Sequence, residues 1–380
     1  MYSDLQGYPK RLLVVSDTAM QNTNSGVKAF GPVVKELTYL AKEFDEITWI
    51  GFERIGKNNS LVLIENKKIQ TMLLRSVGGK TFRDKLNILT SYPKMYRVIL
   101  NEVKKHRYIH SRAPSNPSVI VMFLSLFFSK KQFWHKYAGS WIDPAPFFYH
   151  IQRIFLKKLR YNSKITINGD YNISNKNIIP FENPCLDKID RKIGKKNIET
   201  KLTITSINLC FVGALNRNKG VDIILESLRN LNITNIGVVY FVGDGPERND
   251  FEFIAKKINI NIIFLGFLEK YKIKDIYSKC DFIILPSKSE GFPKVIGEAM
   301  NYGCIPIVSD VSCISQYIQD GVNGFLIHPI TFKEVQKKIY LAKELTNKEK
   351  VKIKQYNYEL AEKFTYQLYN NRILNEIFQS

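Results

Sequence analysis

Short runs of β-branched and other apolar residues alternate with segments of helical periodicity along the chain. The first run is Leu12–Ser16 (LLVVS), followed by a polar loop at Asp17–Lys28 and a helix-period segment at Ala29–Phe44. A second series of the same kind starts at Asn208. Such alternation is typical of parallel sheets whose connecting helices cover both faces. We therefore expect an α/β chain with two Rossmann-like, doubly wound domains. They are expected to face each other across a deep cleft, where ligands bind beyond the carboxyl ends of the strands.

The expected domain boundaries follow from a break in this alternation. The chain has 380 residues, which is long enough for two separate hydrophobic cores. Residues 187–201 are rich in charge and show almost no apolar periodicity. We predict a first domain over residues 1–188, a linker over 189–202 and a second domain over 203–360. A helix over residues 361–380 is expected to return toward the first domain.

The formal net charge of +21 is concentrated in the first half of the chain. Residues 1–200 hold 33 basic and 16 acidic side chains, a balance of +17, whereas residues 201–380 hold 23 and 19, a balance of +4. This excess indicates an acidic partner, either an anionic membrane surface, a phosphate-bearing acceptor or nucleic acid. Codon usage explains many lysines but not their concentration. Nucleic acid is disfavoured because no aromatic–basic RNA-binding motif is present.

Residues 148–160 (FYHIQRIFLKKLR) combine apolar and basic side chains at helical spacing. Two interpretations stay open: a helix docked on the core, which we favour, and a helix lying on an anionic membrane surface. The first predicts that one apolar face is buried. That face consists of Ile151, Ile154, Phe155 and Leu159, with Arg153, Lys157, Lys158 and Arg160 around the rest.

Targeting and redox signals are weak. The polar start of the chain does not resemble a signal peptide, and the longest apolar run, Val119–Phe128, is too short to cross a bilayer. The five cysteines form no C-x-x-C pair, so reduced core thiols are expected. We expect a cytoplasmic protein, peripheral at the cytoplasmic face of the membrane if the basic helix meets lipid.

The segment Ser289–Met300 (SEGFPKVIGEAM) places two glutamates, Glu290 and Glu298, eight positions apart across the start of a helix. Gly291 frees the backbone, and Pro293 suits the first helical turn. Free amides and the helix dipole favour an anion there. The five residues from Pro293 to Glu298 span about 7.5 Å, on the order of a diphosphate's length. One carboxylate is therefore predicted to hold a sugar and the other a ribose diol; two solvated acids are the alternative.

Three further junctions in the second half carry candidate groups. Val212–Val221 (VGALNRNKGV) supplies Arg217 and Lys219, cations suited to neutralising a diphosphate leaving group. A solvated loop is the alternative for either residue alone. Gly243–Pro246 is a weak phosphate loop or an ordinary turn. Leu265–Lys270 (LGFLEK) leaves a strand end whose backbone can contact a base.

Together these segments resemble the nucleotide-binding domain of retaining GT-B glycosyltransferases of the group-one or family-four class, of the kind that builds bacterial surface polysaccharide. The resemblance extends from Leu209 to His328 and is looser elsewhere. It implies a hexosyl transfer with retention of anomeric configuration, from a UDP- or GDP-linked sugar to a glycan or a lipid-linked acceptor. It also implies no cofactor beyond the nucleotide-sugar co-substrate, no essential metal and no nucleic acid.

The resemblance also implies roles for single residues. Glu298 would hold the ribose hydroxyls, Glu290 would contact the donor sugar, and Lys219 would bind the diphosphate. Ala214 stands where the family usually has an arginine, so Arg217 is expected to compensate as a third catalytic candidate. The remaining donor-side candidates are Gly291, Phe292, Pro293, Lys294, Val295, Gly213, Gly243, Phe267, Leu268 and, in the first domain, Gly26.

The acceptor side stays open between several residues. Relatives often have a histidine or an acid near the reacting carbon, and the corresponding strand end here offers Lys136 and Tyr137, with Asp143 slightly beyond. His110 and Arg112 follow a neighbouring strand. His135 is expected to be a packed structural residue.

Two other functions remain as alternatives. A nucleotide-sugar epimerase or a phosphorylase would keep the same fold and change the chemistry. A non-catalytic basic nucleic-acid-binding or scaffold protein fits the charge but not the two-glutamate segment.

Overall fold

The computed structural model describes residues 9–54, 61–75, 82–159, 161–200, 206–229, 231 and 236–378, with the backbone alone over 82–89. These residues form two compact units, as expected for two domains. Unit 1 comprises the chain up to Phe181 together with the residues from Asn370 onward, and unit 2 is Glu182–Tyr369. Arg160 and residues 201–205, which include part of the expected linker, lie outside the described residues.

Unit 1 is built on a parallel sheet covered by helices. Its strands are β1 Arg11–Thr23, β2 Gly26–Phe30, β3 Glu46–Glu53, β4 Leu61–Leu63, β5 Ile69–Arg75, β6 Tyr108–Ala113, β7 Gln132–Tyr137, β8 Ser163–Ile167 and β9 Ile178–Pro180. Its helices are α1 Gly31–Leu40, α2 Phe82–Lys105, α3 Asn116–Ser125 and α4 Phe147–Lys157. The parallel strands run β5-β3-β1-β6-β7-β8-β9, so the strand order reverses between β1 and β6.

The expected loop at Asp17–Lys28 is a β-hairpin instead. β1 continues to Thr23 and pairs antiparallel with β2, and Gly26 lies at the turn with φ of 120°. The register pairs Met20 with Ala29, both fully buried. Most residues of this segment are polar, which is why the sequence suggested a loop.

Unit 2 also contains a parallel sheet. Its helices are α5 Lys188–Thr200, α6 Val221–Arg229, α7 Arg248–Ala255, α8 Lys270–Lys279, α9 Lys294–Asn301, α10 Phe332–Glu344 and α11 Asn347–Leu360. Its strands are β10 Ile207–Val212, β11 Ile236–Val242, β12 Asn261–Gly266, β13 Phe282–Leu285, β14 Ile305–Ser309 and β15 Phe325–Ile327. The strand order is β12-β11-β10-β13-β14-β15, the Rossmann order.

The segment expected to be a linker is largely helix α5, which packs inside unit 2. A Cβ on Gly194 would lie 2.2 Å from the carbonyl oxygen of Asn301 on α9, so the two helices meet at backbone distance. Arg191 Nη1 donates to Asn301 Oδ1 (2.9 Å) and to the carbonyl of Tyr358 (2.8 Å). Because glycine and polar groups make these contacts, the helix lacks the apolar periodicity by which the sequence could reveal it. The first unit boundary lies before this helix, at Phe181–Glu182.

The end of the chain is not one helix over 361–380. A 3-10 turn, Ala361–Phe364, precedes α12 (Tyr366–Arg372) and a final helical turn, Ile373–Ile377. The residues from Asn370 onward belong to unit 1. There Phe378 packs edge-to-face on Tyr108, with ring centroids 5.1 Å apart.

All five cysteines are buried thiols, which confirms that they belong to the core. Among the helices that the structure describes, none is long and apolar enough to cross a bilayer.

Candidate functional site

The candidate site of unit 2 lies where its strand order reverses. β10 and β13 are neighbours, with Leu209 opposite Phe282. The loops that follow the two strands carry Lys219 and Glu290. In open parallel sheets the carboxyl ends at such a reversal form a crevice in which ligands bind.

The loop after β10 is locked onto the loop after β13. Asn216 caps a 3-10 turn, its Oδ1 accepting from the Lys219 amide at 2.9 Å. Gly220 has φ of 74°, and a Cβ there would lie 2.3 Å from the Pro286 carbonyl oxygen. The Lys288 amide donates to the Asn218 carbonyl at 2.8 Å. The position of Lys219 relative to the second loop is therefore set by backbone contacts.

Within this frame the ammonium of Lys219 donates a hydrogen bond to Glu290 Oε1. The Lys219 side chain is 26% exposed and that of Glu290 is 9% exposed, so the pair is accessible yet largely desolvated. The ammonium can stabilise negative charge on a phosphate oxygen, and the carboxylate can accept hydrogen bonds from hydroxyl groups. The structure therefore brings two of the three catalytic candidates together.

Arg217 is directed elsewhere. Its Nε and its backbone amide donate to the two carboxylate oxygens of Glu247, at 2.8 and 2.9 Å. The side chain is 67% exposed, a setting in which an ion pair contributes little. This contact turns the guanidinium toward the start of α7. Compensation for Ala214 by Arg217 stays a prediction.

Glu298 lies on α9 among groups that the sequence did not single out. Lys270 Nζ is 3.5 Å from its Oε1, and the hydroxyl of Tyr277 donates to Oε2 at 3.4 Å. Lys270 also donates to the Cys185 carbonyl and lies 3.3 Å from Asp190 Oδ2. Burial alone lowers the pKa of Lys270, but Glu298 and Asp190 outweigh it and raise the pKa above its ordinary value. Glu298 is thus held beside a charged ammonium.

The sequence did contain one indication that Lys270 has a specific partner. It is the first residue of α8, and a cation at a helix N-terminus opposes the helix dipole. Such a position indicates a specific anionic partner, here Glu298 and Asp190.

The start of α9 offers ligands its backbone rather than its side chains. Pro293 is the N-cap, one residue before the expected first turn, and no side chain caps the helix. Phe292 is buried and stacks on Phe364, with ring centroids 4.7 Å apart. Val295 packs on the core, whereas Gly291 and Lys294 are half-buried. Contacts to a donor through the amides of residues 292–295 stay a prediction.

The other donor-side candidates of unit 2 divide by role. Gly243 has φ of 133°, and a Cβ there would lie 1.9 Å from the Gly213 carbonyl oxygen. These glycines let adjacent strand ends approach at backbone distance, a structural role that needs no ligand. After β12, Phe267 is exposed, whereas Leu268 packs on the core.

In unit 1, Lys136 and Arg112 converge on one buried carboxylate. Glu36 Oε1 on α1 accepts from Lys136 Nζ at 2.9 Å and from Arg112 Nη1 at 2.7 Å, and the Glu36 side chain is 1% exposed. Tyr137 belongs to the core, edge-to-face with Trp141. Asp143 is half-buried, and its carbonyl accepts from a buried arginine.

His110, one of the acceptor-side candidates, lies in the core of unit 1. It is fully buried, and its ring stacks on Trp134 at 3.7 Å. Burial, followed by the Arg112 charge, lowers the pKa of His110 well below its ordinary value. His135 is also buried, as expected, and its Nδ1 lies 2.7 Å from Ser111 Oγ. The described residues contain no cluster of three or more His, Cys, Asp and Glu side chains placed to hold a metal ion.

Comparison with known proteins gives a family match within unit 2 and the fold of the chain. Residues 194–360 match the family described as "Glycosyl transferases group 1". The chain is 31% identical over 193 residues to glycogen synthase of Thermodesulfovibrio yellowstonii, covering 45% of this chain and 36% of the relative. It is 28% identical over 188 residues to a GalNAc-alpha-(1->4)-GalNAc-alpha-(1->3)-diNAcBac-PP-undecaprenol alpha-1,4-N-acetyl-D-galactosaminyltransferase of Campylobacter jejuni, covering 46% and 49%. The chain spans less than half of the length of these curated relatives.

The structural match extends over both units. Anabaena Alr3699/HepE, crystallised with UDP and glucose, aligns with a TM-score of 0.67 at 16% sequence identity, covering 98% of this chain and all of that one. The chain therefore has the GT-B fold, with two α/β units that each contain a parallel sheet.

Proposed function

We propose that this chain, in which residues 194–360 form a group 1 glycosyltransferase domain, is a retaining hexosyltransferase. It transfers a sugar from a UDP- or GDP-linked donor to a glycan or lipid-linked acceptor, in the synthesis of surface polysaccharide or a glycolipid. The observation that carries the proposal is the contact between Lys219 and Glu290 at the reversal of strand order in unit 2. An ammonium beside a carboxylate at that location suits a ligand with both phosphate and hydroxyl groups.

The donor is proposed to lie across this contact. Lys219 stabilises the charge that develops on the departing diphosphate, and the amides at the start of α9 bind the distal phosphate. Glu290 accepts hydrogen bonds from the sugar. Glu298, held by Lys270 and Tyr277, accepts those of the ribose diol. The protein of the UDP-and-glucose structure has the same fold, which supports a nucleotide-sugar donor.

The acceptor is proposed to be bound by unit 1, where most of the positive charge lies. Its candidate contacts are Lys136, Arg112, Tyr137 and Asp143. The Campylobacter relative, whose name gives a PP-undecaprenol substrate, supports a lipid-linked acceptor. An enzyme with such an acceptor would act at the cytoplasmic face of a membrane.

Nucleotide release and product stereochemistry test the proposal together. The purified chain is incubated with UDP- and GDP-sugars and a lipid-linked acceptor, and released nucleoside diphosphate and the product anomer are followed by NMR. We expect diphosphate release that requires acceptor, retention of configuration, and the same rate in a metal chelator. An isomerised donor without release indicates an epimerase, and consumption of phosphate indicates a phosphorylase.

A binding screen provides the second arm of this test. A nucleotide sugar at about 100 times its dissociation constant adds about 2.7 kcal/mol to the free energy of unfolding. Absence of any such stabilisation, with salt-dependent binding of RNA instead, would favour the scaffold function and contradict the proposal.

A further inference from the structure

Helix α4 of unit 1 turns four of its apolar residues outward, away from the core. Phe147 is 80% exposed, Ile151 44% and Ile154 43%, and Phe148 is exposed as well. These four side chains are the outer face of α4. The inward face consists of Gln152, Arg153 and Leu156. Of the four residues expected on the buried face, Phe155 and Leu159 do pack on the core, beside Leu156. Ile151 and Ile154 are exposed instead, so the expected apolar face is only half buried.

Polar contacts fix this orientation. Arg153 Nη1 donates to the carbonyls of Trp141 (2.7 Å) and Asp143 (2.9 Å). Gln152 Oε1 accepts from the Ser115 amide (3.1 Å) and the Ser118 hydroxyl (3.0 Å) at the start of α3. Rotating α4 to bury its isoleucines would break these buried hydrogen bonds, each costly to leave unmade. These buried hydrogen bonds therefore keep the outer face of α4 exposed.

The sequence around α4 is strongly basic. Residues 103–169 contain 12 lysines and arginines and a single acid, Asp143. Lys157 and Lys158 follow the apolar residues at the end of α4, and both are exposed. On α3, which packs against α4, the exposed Phe123 lies next to Phe127, with ring centroids 5.0 Å apart.

We propose that the outer face of α4 docks unit 1 on an anionic lipid bilayer. The apolar side chains enter the boundary between headgroups and acyl chains, while Lys157 and Lys158 contact lipid phosphates. A second copy of the chain is disfavoured as the occupant because its own +21 charge would repel the first. Nucleic acid is disfavoured because the two isoleucines of the outer face cannot stack on bases. The inference is independent of which sugar is transferred.

Vesicle flotation of the full chain tests this docking. Vesicles of phosphatidylcholine alone are compared with vesicles that also contain phosphatidylglycerol, over a range of salt. We expect binding to the anionic vesicles only, weakening as salt is raised. Replacing Phe147, Ile151 and Ile154 together by Ser is expected to weaken binding at least about tenfold. Replacing Lys157 and Lys158 by Ala is expected to weaken it by about fivefold per charge.

Matched controls separate docking from folding and from catalysis. Phe253 on α7 and Val351 on α11 are also exposed, at 61% and 55%, but lie in unit 2, so their double Ser variant should float like the unchanged chain. The triple Ser variant should keep its unfolding temperature and its nucleotide release with a water-soluble acceptor. Equal binding to neutral and anionic vesicles, or undiminished binding of the triple variant, would overturn the proposal. A change of oligomeric mass in that variant without any vesicle binding would point to a second copy instead.

Discussion

Lys219 and Glu290 are hydrogen-bonded although 71 residues separate them in the chain. The contact exists because β10 and β13 are adjacent in the sheet, although two other strands, β11 and β12, lie between them in sequence. Two backbone contacts, at Gly220 and at the Lys288 amide, then hold the loops together. A cation and an acid are thereby fixed at one point of the strand ends.

Removing the charge of either residue of this pair should abolish most of the sugar transfer. Lys219→Ala and Glu290→Gln are each expected to lower kcat/KM by about 10²–10³-fold, because each removes a preorganised charge at the reacting groups. The measurement is steady-state release of nucleoside diphosphate. Arg217→Ala is the matched control, with a much smaller loss expected from its exposed pair. Turnover of Lys219→Ala at the rate of the unchanged chain would contradict the assignment.

Lys270 should act on donor affinity through Glu298. Lys270→Met removes the ammonium that lies beside the Glu298 carboxylate, and we expect nucleotide binding to weaken by about 10–100-fold, the range for a lost hydrogen bond to a charged group. Titration calorimetry with the free nucleotide measures this directly. Tyr277→Phe, which removes a longer contact of 3.4 Å, should have a smaller effect. If Lys270→Met binds nucleotide normally, Glu298 is not held by this lysine.

Gly220 and Gly321 provide a comparison at equal backbone geometry. Both have φ of 74°, but only at Gly220 would a Cβ meet another atom, the Pro286 carbonyl oxygen at 2.3 Å; nothing lies within 4 Å of one at Gly321. Gly321→Ala should cost about 1–2 kcal/mol of unfolding free energy, the left-handed strain alone. Gly220→Ala should cost more and should also lower transfer, since it displaces the loop of Lys219. Equal effects of the two variants in urea unfolding would refute this explanation.

The buried carboxylate of unit 1 should be important for stability. Glu36→Gln leaves Lys136 and Arg112 facing each other without the charge that now lies 2.9 and 2.7 Å away. We expect a loss of about 3–5 kcal/mol in the free energy of unfolding. Adding Lys136→Met should recover part of that loss, because one buried cation is then removed. A double variant that is less stable than Glu36→Gln alone would argue against repulsion as the cause.

Acid should destabilise the chain through its buried histidines. Burial lowers the pKa of His135 to about 3, whereas the unfolded chain binds that proton near the ordinary value of about 6.5. Because the unfolded state binds more protons between these values, stability falls as the pH drops. The loss is about 2 kcal/mol at about pH 5 for His135 alone. Urea midpoints measured between about pH 7 and pH 5 check the slope, and His135→Gln should flatten it.

Local patterns predicted the elements of unit 2 well. The second series of apolar runs and helix-period segments, which starts at Asn208, corresponds to the strands and helices of unit 2 from β10 onward. In unit 1 the short strands β4, β5 and β9 were missed. The hairpin at Gly26 was taken for a loop. β4 and β9 have only three residues each, too few for an alternation of apolar and polar residues to mark them as strands.

The candidate site was only half visible in the sequence. Glu290, Glu298 and Lys219 could be singled out because each lies at a strand–loop–helix junction. The partners of Glu298, Lys270 and Tyr277, could not, because they meet it through contacts between separate segments. Glu36 was missed for the same reason, since it meets Lys136 and Arg112 across the fold of unit 1. Arg217 was expected to compensate for Ala214, which stays a prediction, and its guanidinium pairs with Glu247.

The sequence by itself determined that the chain forms two parallel-sheet α/β domains, since periodicity and apolar runs depend only on neighbouring residues. It also determined which junctions carry acids and cations. The tertiary structure alone decided which of those groups meet, because strand order and backbone approach at Gly220 and Gly194 are set by packing across the fold. It likewise decided the orientation of α4. There, buried hydrogen bonds of Gln152 and Arg153 outweigh the apolar pattern and turn Ile151 and Ile154 to solvent.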